Sequence, residues 1–130
     1  MKFMLVNTPI SIGELIDKIS ILIIKKKNIT DVHKLRHIEK ELSLLESTLS
    51  ESVNDKKVKE FRDSLIAINS TLWKIEDDIR KCEKDKVFDQ KFIDLARAVY
   101  QTNDKRSEIK LEINEFFGST LVEVKSYEKY

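Results

Sequence analysis

Glycine and proline almost vanish from this chain, and where they survive limits what it can become. Pro9, Gly13 and Gly118 are the only ones, and from Glu14 to Phe117 there is neither. These two residues punctuate turns and end helices. A stretch this long without them predicts long helices joined by short polar turns, with the breakers confined to the outer edges. Pro9 precedes the first helix, and Gly118 stands where a glycine would close the last.

The run Ile10–Lys27 anchors the reading. Ser11 followed by Glu14 forms a Ser-x-x-Glu capping box, and Ile10 with Leu15 fits a hydrophobic staple. Ile12, Leu15, Ile19 and Leu22 keep helical spacing, and Ile16, Ile21, Ile23 and Ile24 spread apolar surface around the rest. The spacing predicts a helix over 12–27, buried on most sides. Asn28–Thr30 is a turn. A second helix starts near Thr30 or Asp31, with Leu35, Ile38, Leu42, Leu45 and Leu49 as a heptad stripe. The polar stretch Ser50–Asn54 breaks it. A third helix is expected over about 55–84, with Val58, Phe61, Leu65, Ile68, Leu72, Ile75, Ile79 and Cys82 in register. A fourth runs over about 89–117, with Phe92, Leu95, Val99, Thr102, Arg106, Ile109, Ile113 and Phe116 along its seam.

The flanks read differently. Lys2–Asn7 is short and apolar, and Thr120–Tyr127 alternates apolar and polar; each reads as a strand. Four antiparallel helices return the chain to the end where it entered, so the two strands should pair. The expected fold is all-α: one domain over residues 1–130, a four-helix antiparallel bundle of two hairpins with the second longer, and a small two-stranded β-ribbon from the termini. The uninterrupted coiled-coil heptad of the third helix and the mismatched hairpins predict a homo-oligomer, a homodimer through helices 3 and 4.

Charge excludes some functions. Lys and Arg number 24 against 23 Asp and Glu, a formal net charge of +1. Nucleic-acid binders usually carry a basic excess, so none is expected as partner. The longest apolar run, Ile19–Ile24, is far below the ~20 residues of a membrane span. One cysteine, Cys82, gives neither a disulfide framework nor a cysteine zinc site, which points to a reducing, cytoplasmic setting. Abundant isoleucine and lysine beside scarce arginine suggest AT-rich coding, as in a bacterium or phage. There is no signal-peptide pattern, Gly-rich phosphate loop, nucleophile elbow or His-Glu-x-x-His pair; no cofactor and no metal site are expected.

Three polar constellations remain. On the first helix, Glu14 and Lys18 are four residues apart, and Asp17 is one turn from Glu14. The functional reading is a polar site at one end of the bundle; the bland one is a cap and a solvated edge. On the third helix, Trp73 precedes Glu76, Asp77, Asp78 and Arg80. Successive carboxylates point about 100° apart and cannot all face one ligand, so a solvated face is expected. On the fourth, Thr102 and Arg106 interrupt the apolar seam, with Asn103 and Lys110 beside them. A guanidinium there needs a partner: Asp17, Asp78 or Glu14 across the core, or an anionic ligand. Both readings stay open. His33 and His37, four apart, fall on the exposed side of their helix, and Cys82 falls at a core position.

Four stretches carry a family likeness: PISIGELIDKISIL (9–22), LWKIEDDIR (72–80), FDQKFIDLARAVYQTNDKRSEIKLEIN (88–114) and GSTLVEVKSY (118–127). In order and content they resemble a small bacterial family labelled only as a domain of unknown function, some members of which accompany glycosyltransferase or surface-polysaccharide genes. The resemblance implies a stand-alone protein, a link to surface-glycan biosynthesis through a glycosyltransferase or other protein partner, and no catalytic residues. Two all-helical enzyme classes fit poorly. Helical chorismate mutases need several converging arginines, and the first helix has none. Helical nucleotide pyrophosphohydrolases need a Glu-x-x-Glu helix ahead of a Glu-x-x-Asp helix, and Glu14-x-x-Asp17 comes first here. The expected function is a non-catalytic binding or assembly module. The alternative is a small helical enzyme or anionic-ligand binder around Arg106, Asp17 and Lys18, with Glu14, Asp78, Asn103 and Lys110 as further ligand-binding candidates.

Overall fold

A computed structural model describes residues 3–130 of the chain. Four helices make up its regular secondary structure among the described residues: α1 (Ile12–Asn28), α2 (Val32–Ser52), α3 (Lys57–Asp85) and α4 (Gln90–Phe117). Local chemistry sets their ends. Ser11 Oγ accepts from the Glu14 amide at 3.1 Å, Asp31 accepts from the Lys34 amide at 2.9 Å, and Asp89 accepts from the Lys91 and Phe92 amides. Only half of the expected capping box forms, because the Glu14 carboxylate turns to Lys110 at 2.7 Å.

Gly118 closes α4 with φ 64°, and its amide reaches back to the Asn114 and Glu115 carbonyls. The end of α3 uses the same left-handed geometry without a glycine: Lys86 has φ 56° and ψ 37°. A side chain there crowds its own carbonyl. Lys86→Gly is expected to stabilise the protein by about 0.5–1 kcal/mol, the relief of crowding outweighing the added freedom of the unfolded chain. An unchanged or lower urea midpoint would count against it.

Helix α1 lies beside each of the other three, α3 and α4 lie along each other, and α2 lies beside α1 alone. That is why the apolar surface of α1 runs around most of its circumference. Leu15, Ile16, Ile19 and Leu22 of α1 join Ile38, Leu42 and Leu49 of α2, Phe61 and Leu65 of α3, and Ile113 of α4 in one core. With 17 residues against 29 and 28, α1 is too short to cover the α3–α4 pair. Towards the α3–α4 turn Val87, Phe88 and Ile93 are exposed, with Phe88 and Phe92 edge to face at 5.2 Å. Cys82 is buried as its register predicted, and His33 and His37 are exposed.

Two expectations are corrected. Among the described residues there is no strand, so the β-ribbon is absent. The first residue of its N-terminal half, Lys2, lies outside the described residues, and Phe3, Met4, Leu5 and Val6 stand exposed. The C-terminal segment is committed to α4 through side chains, Glu123 to Lys110 and Tyr130 to Asp104. A two-stranded ribbon is marginal by itself and does not displace those bonds.

The α4 seam also shifts. A straight helix drifts about 20° per heptad from a strict seven-residue repeat. Near its C-terminal end the buried positions become Lys110, Ile113 and Asn114, while Phe116 is half exposed against Phe61 and Phe117. No helix among the described residues is long and apolar enough to cross a membrane.

Candidate functional site

Asp17 has no exposed surface, which sets the problem the surrounding residues solve. A buried carboxylate must be neutralised and its oxygens bonded. Arg106 of α4 does most of this. Its Nε donates to Asp17 Oδ1 at 3.0 Å, and its Nη2 donates to Oδ2. The fork matches the carboxylate edge, a geometry lysine cannot offer. Asn69 of α3 donates from one Nδ2 both to Asp17 Oδ1 and to Ser20 Oγ, each at 2.8 Å. Ser20 in turn donates to the Asp17 carbonyl at 2.7 Å. One carboxylate on α1 thus binds both long helices.

One turn away, Lys110 is nearly buried and lies 2.7 Å from both Glu14 and Glu123, and 3.9 Å from Asp17. Glu123 also pairs with Lys125. The first turn of α1 is tied to α4 by backbone as well: the Gly13 amide, one of the orphan donors of a helix start, donates to Asn114 Oδ1 at 2.7 Å.

The hydrogen bond to Asp17 holds the Arg106 guanidinium above its ordinary pKa against the opposing effect of burial. Burial pulls Lys110 down, but hydrogen bonds to Glu123 and Glu14 outweigh it, and its net shift is upward. The Lys110 ammonium brings Glu123 down to about 2, with Lys125 adding to the effect.

A stability test follows from Glu123. A carboxylate depressed in the folded state stabilises that state above its unfolded pKa, and the contribution disappears as pH falls through the folded value. Wild type and Glu123→Gln should therefore differ by a constant margin above pH of about 5, no more than about 1 kcal/mol for a pair whose carboxylate is open to solvent. The margin should close as pH falls from about 4.5 to about 2. Urea melts at stepped pH check this, and a margin that persists to the acid limit would disprove it.

Of the residues singled out from sequence, Arg106, Asp17, Glu14 and Lys110 are brought together. Asn103 lines an open groove with Arg106. Lys18 is exposed, and Asp78 pairs with Lys74 at 3.2 Å along α3. Neither joins the cluster: Lys18 points about 100° away from its neighbour Asp17, and Asp78 stands about 13 Å along α3 from Asn69.

Four residues the sequence reading did not single out belong to it: Ser20, Asn69, Asn114 and Glu123. The strict heptad put Ile68 inward. The equally helical stripe Phe61, Leu65, Asn69, Leu72 would have found Asn69, and it is the stripe that is buried. Ser20, interrupting the apolar run of α1, was a visible signal as well.

Arg106 borders two hollows. One, of about 550 Å³ between α1, α3 and α4, is walled by Trp73, Glu76, Asp77, Arg80, Asn103 and Arg106. The other, of about 510 Å³, is an open hollow bordered by the start of α1, by α4 and by the C-terminal segment, and includes Ser11, Glu14, Lys110, Glu123 and Lys125. Among the described residues no three His, Cys, Asp or Glu side chains gather in a way that would hold a metal ion.

Over residues 5–130 the chain matches a family of unknown function (DUF6165), and it belongs to that family. No curated protein and no solved structure matches it.

Proposed function

We propose that this family member is a non-catalytic binding or assembly module, and that its ligand face is the groove between α1, α3 and α4. The supporting observation is the groove wall itself. It gathers the only tryptophan, Trp73, with Asn103 and the outer edge of Arg106 in one concavity. Tryptophan and arginine at the centre of a concave patch are the residues that most often dominate protein recognition. Because Asp17 already answers the charge of Arg106 from inside, the groove offers a flat hydrogen-bonding edge and an indole ring for a protein partner. On this reading the four helices act as one antiparallel bundle in the cytoplasm, and the partner class is the enzymes that build surface glycans.

Affinity capture from the native host, with wild type and Trp73→Ala side by side, tests it. A partner retained by wild type and lost by the variant is expected, and mixing it with wild type should shift the Trp73 emission. Equal capture by both proteins would overturn the groove as the ligand face.

The same reading includes a homodimer through the α3–α4 hairpin, whose Val87, Phe88 and Ile93 are exposed beyond the reach of α1. Light scattering at high micromolar concentration should give the dimer mass; a monomer mass there rules it out. The rival, an anionic-ligand binder using Arg106, Asp17 and Lys18, loses Lys18, which is exposed outside the cluster. What favours it is the Lys110–Glu123 pair on the other side of Arg106.

A further inference from the structure

We propose that the turn joining α1 to α2 is a docking surface for an anionic lipid bilayer, met at the headgroups with no helix inserted. The surface shares no residue with the groove and does not depend on it.

The first support is unanswered charge. From Lys25 to Lys40 the chain carries Lys25, Lys26, Lys27, Lys34, Arg36 and Lys40 against Asp31 and Glu39. Six cations against two carboxylates leave four net positive charges, in a chain whose total is +1. All but Lys25 are exposed. Among the described residues none of the six enters an ion pair, whereas five such pairs line α3 and its C-cap. Of the two acids across the groove from Ile24, Glu76 is paired with Arg80. Even with Asp77 counted in, the turn keeps a net three.

The second support is where the cations stand. Lys25, Lys26 and Lys27 suit the negative end of the α1 dipole, so the fold itself accounts for them. Lys34 and Arg36 have no such account. They stand in the first turn of α2 and just past it, where no acidic residue accompanies them and positive charge works against the helix. Asp31, the N-cap, already accepts from the Lys34 amide at 2.9 Å. Arg36 and Lys40, four apart, hold the face of α2 opposite the buried Ile38 and Leu42. An anion from outside answers all of these at once. Three observations favour a bilayer as that anion. Val32 is 60% exposed among the cations, and a headgroup layer can bury it where a phosphodiester backbone cannot. No Phe, Tyr or Trp occurs between Met4 and Glu60, so the turn offers no ring on which the bases of a single strand could stack. Neither hollow beside Arg106 includes a residue of the turn, so a compact anion has no concavity there.

The test uses the full-length chain and unilamellar vesicles at ~0.1 M salt. Vesicles of phosphatidylcholine with about 30% phosphatidylglycerol should bind it at least about tenfold tighter than phosphatidylcholine alone, read by co-sedimentation. Each cation near such a surface is worth about fivefold. The variant Lys26→Gln, Lys27→Gln, Arg36→Gln, Lys40→Gln should therefore bind at least about thirtyfold more weakly. Arg36→Gln with Lys40→Gln alone, both on the solvent face, should cost about tenfold and serves if the fourfold variant loses helix by circular dichroism. A control of equal net charge, Lys59→Gln, Lys74→Gln, Lys84→Gln, Lys91→Gln, removes exposed lysines elsewhere. It should stay within about threefold of wild type. Four results would each overturn the proposal: no binding to the anionic vesicles, equal binding to both kinds, a matching loss in the control, or a DNA duplex that strips the protein from the vesicles at equal phosphate concentration.

Discussion

Arg106→Leu is expected to lower the stability of the protein by about 3–5 kcal/mol, read as an earlier urea midpoint at unchanged slope. The reason lies with the partner it leaves behind. Asp17 is fully buried, and without the guanidinium it keeps only the Asn69 amide at 2.8 Å and a distant Lys110 at 3.9 Å. Lys110 is already engaged by Glu14 and Glu123. A buried carboxylate so weakly answered either takes up a proton or draws in water, and both cost stability. Asp17→Leu should cost less, because the Arg106 side chain is 26% exposed and can turn its charge to solvent. The double variant Asp17→Leu with Arg106→Leu should recover most of the loss, since apolar residues of similar volume often replace a buried pair without penalty. If Arg106→Leu instead stabilised the protein, the guanidinium would be serving an outside anion and Asp17 would not be its main partner.

Gly13→Ala should destabilise by about 1–3 kcal/mol, against the usual sign for that exchange in a helix. Alanine is the better helix former by roughly 1 kcal/mol. Here a methyl group would sit 2.5 Å from the Lys110 carbonyl oxygen and 2.8 Å from Asn114 Oδ1. The first contact is backbone and cannot swing aside. The second could move only by breaking the bond that Asn114 makes to the Gly13 amide. α1 and α4 must part at the turn where Lys110, Glu14 and Asp17 meet. Thermal melts of wild type and variant decide; a raised melting temperature would show that the two helices separate easily there.

How much could be read beforehand varied with the physics involved. The helix ends set by Ser11, Asp31, Asp89 and Gly118 were legible to within about two residues because these residues act locally, whereas α2 runs to Ser52, into the polar stretch expected to break it. The partnership of Asp17 with Arg106 was legible only as one of several alternatives, since a charge on a seam announces a need without naming who meets it. Asn69 and Asn114 were hidden by a strict heptad, which a straight helix does not keep over four turns or more. Gly13 looked like punctuation. Its actual role is to let two backbones touch, which depends on a residue far along the chain. The C-terminal alternation Leu121, Glu123, Lys125 has the pattern of a strand, but a strand needs an edge to join. Glu123 had a nearer partner in Lys110.

The separation between Asp17 and Arg106, 89 residues, matters while the chain is being made. During synthesis, at roughly 5–20 residues per second, α1 emerges long before the cation that will cover its carboxylate. α2 can fold back on α1 at once, but the face of α1 that carries Asp17, Ser20 and Gly13 must wait for Asn69, then Arg106, then Asn114. Until then the most apolar helix of the protein carries an ionised group on the surface it will later bury. That charge keeps the nascent helix hydrated and hinders premature collapse against the wrong neighbour. That face cannot be fully covered before the last third of the chain arrives with both the arginine and the lysine.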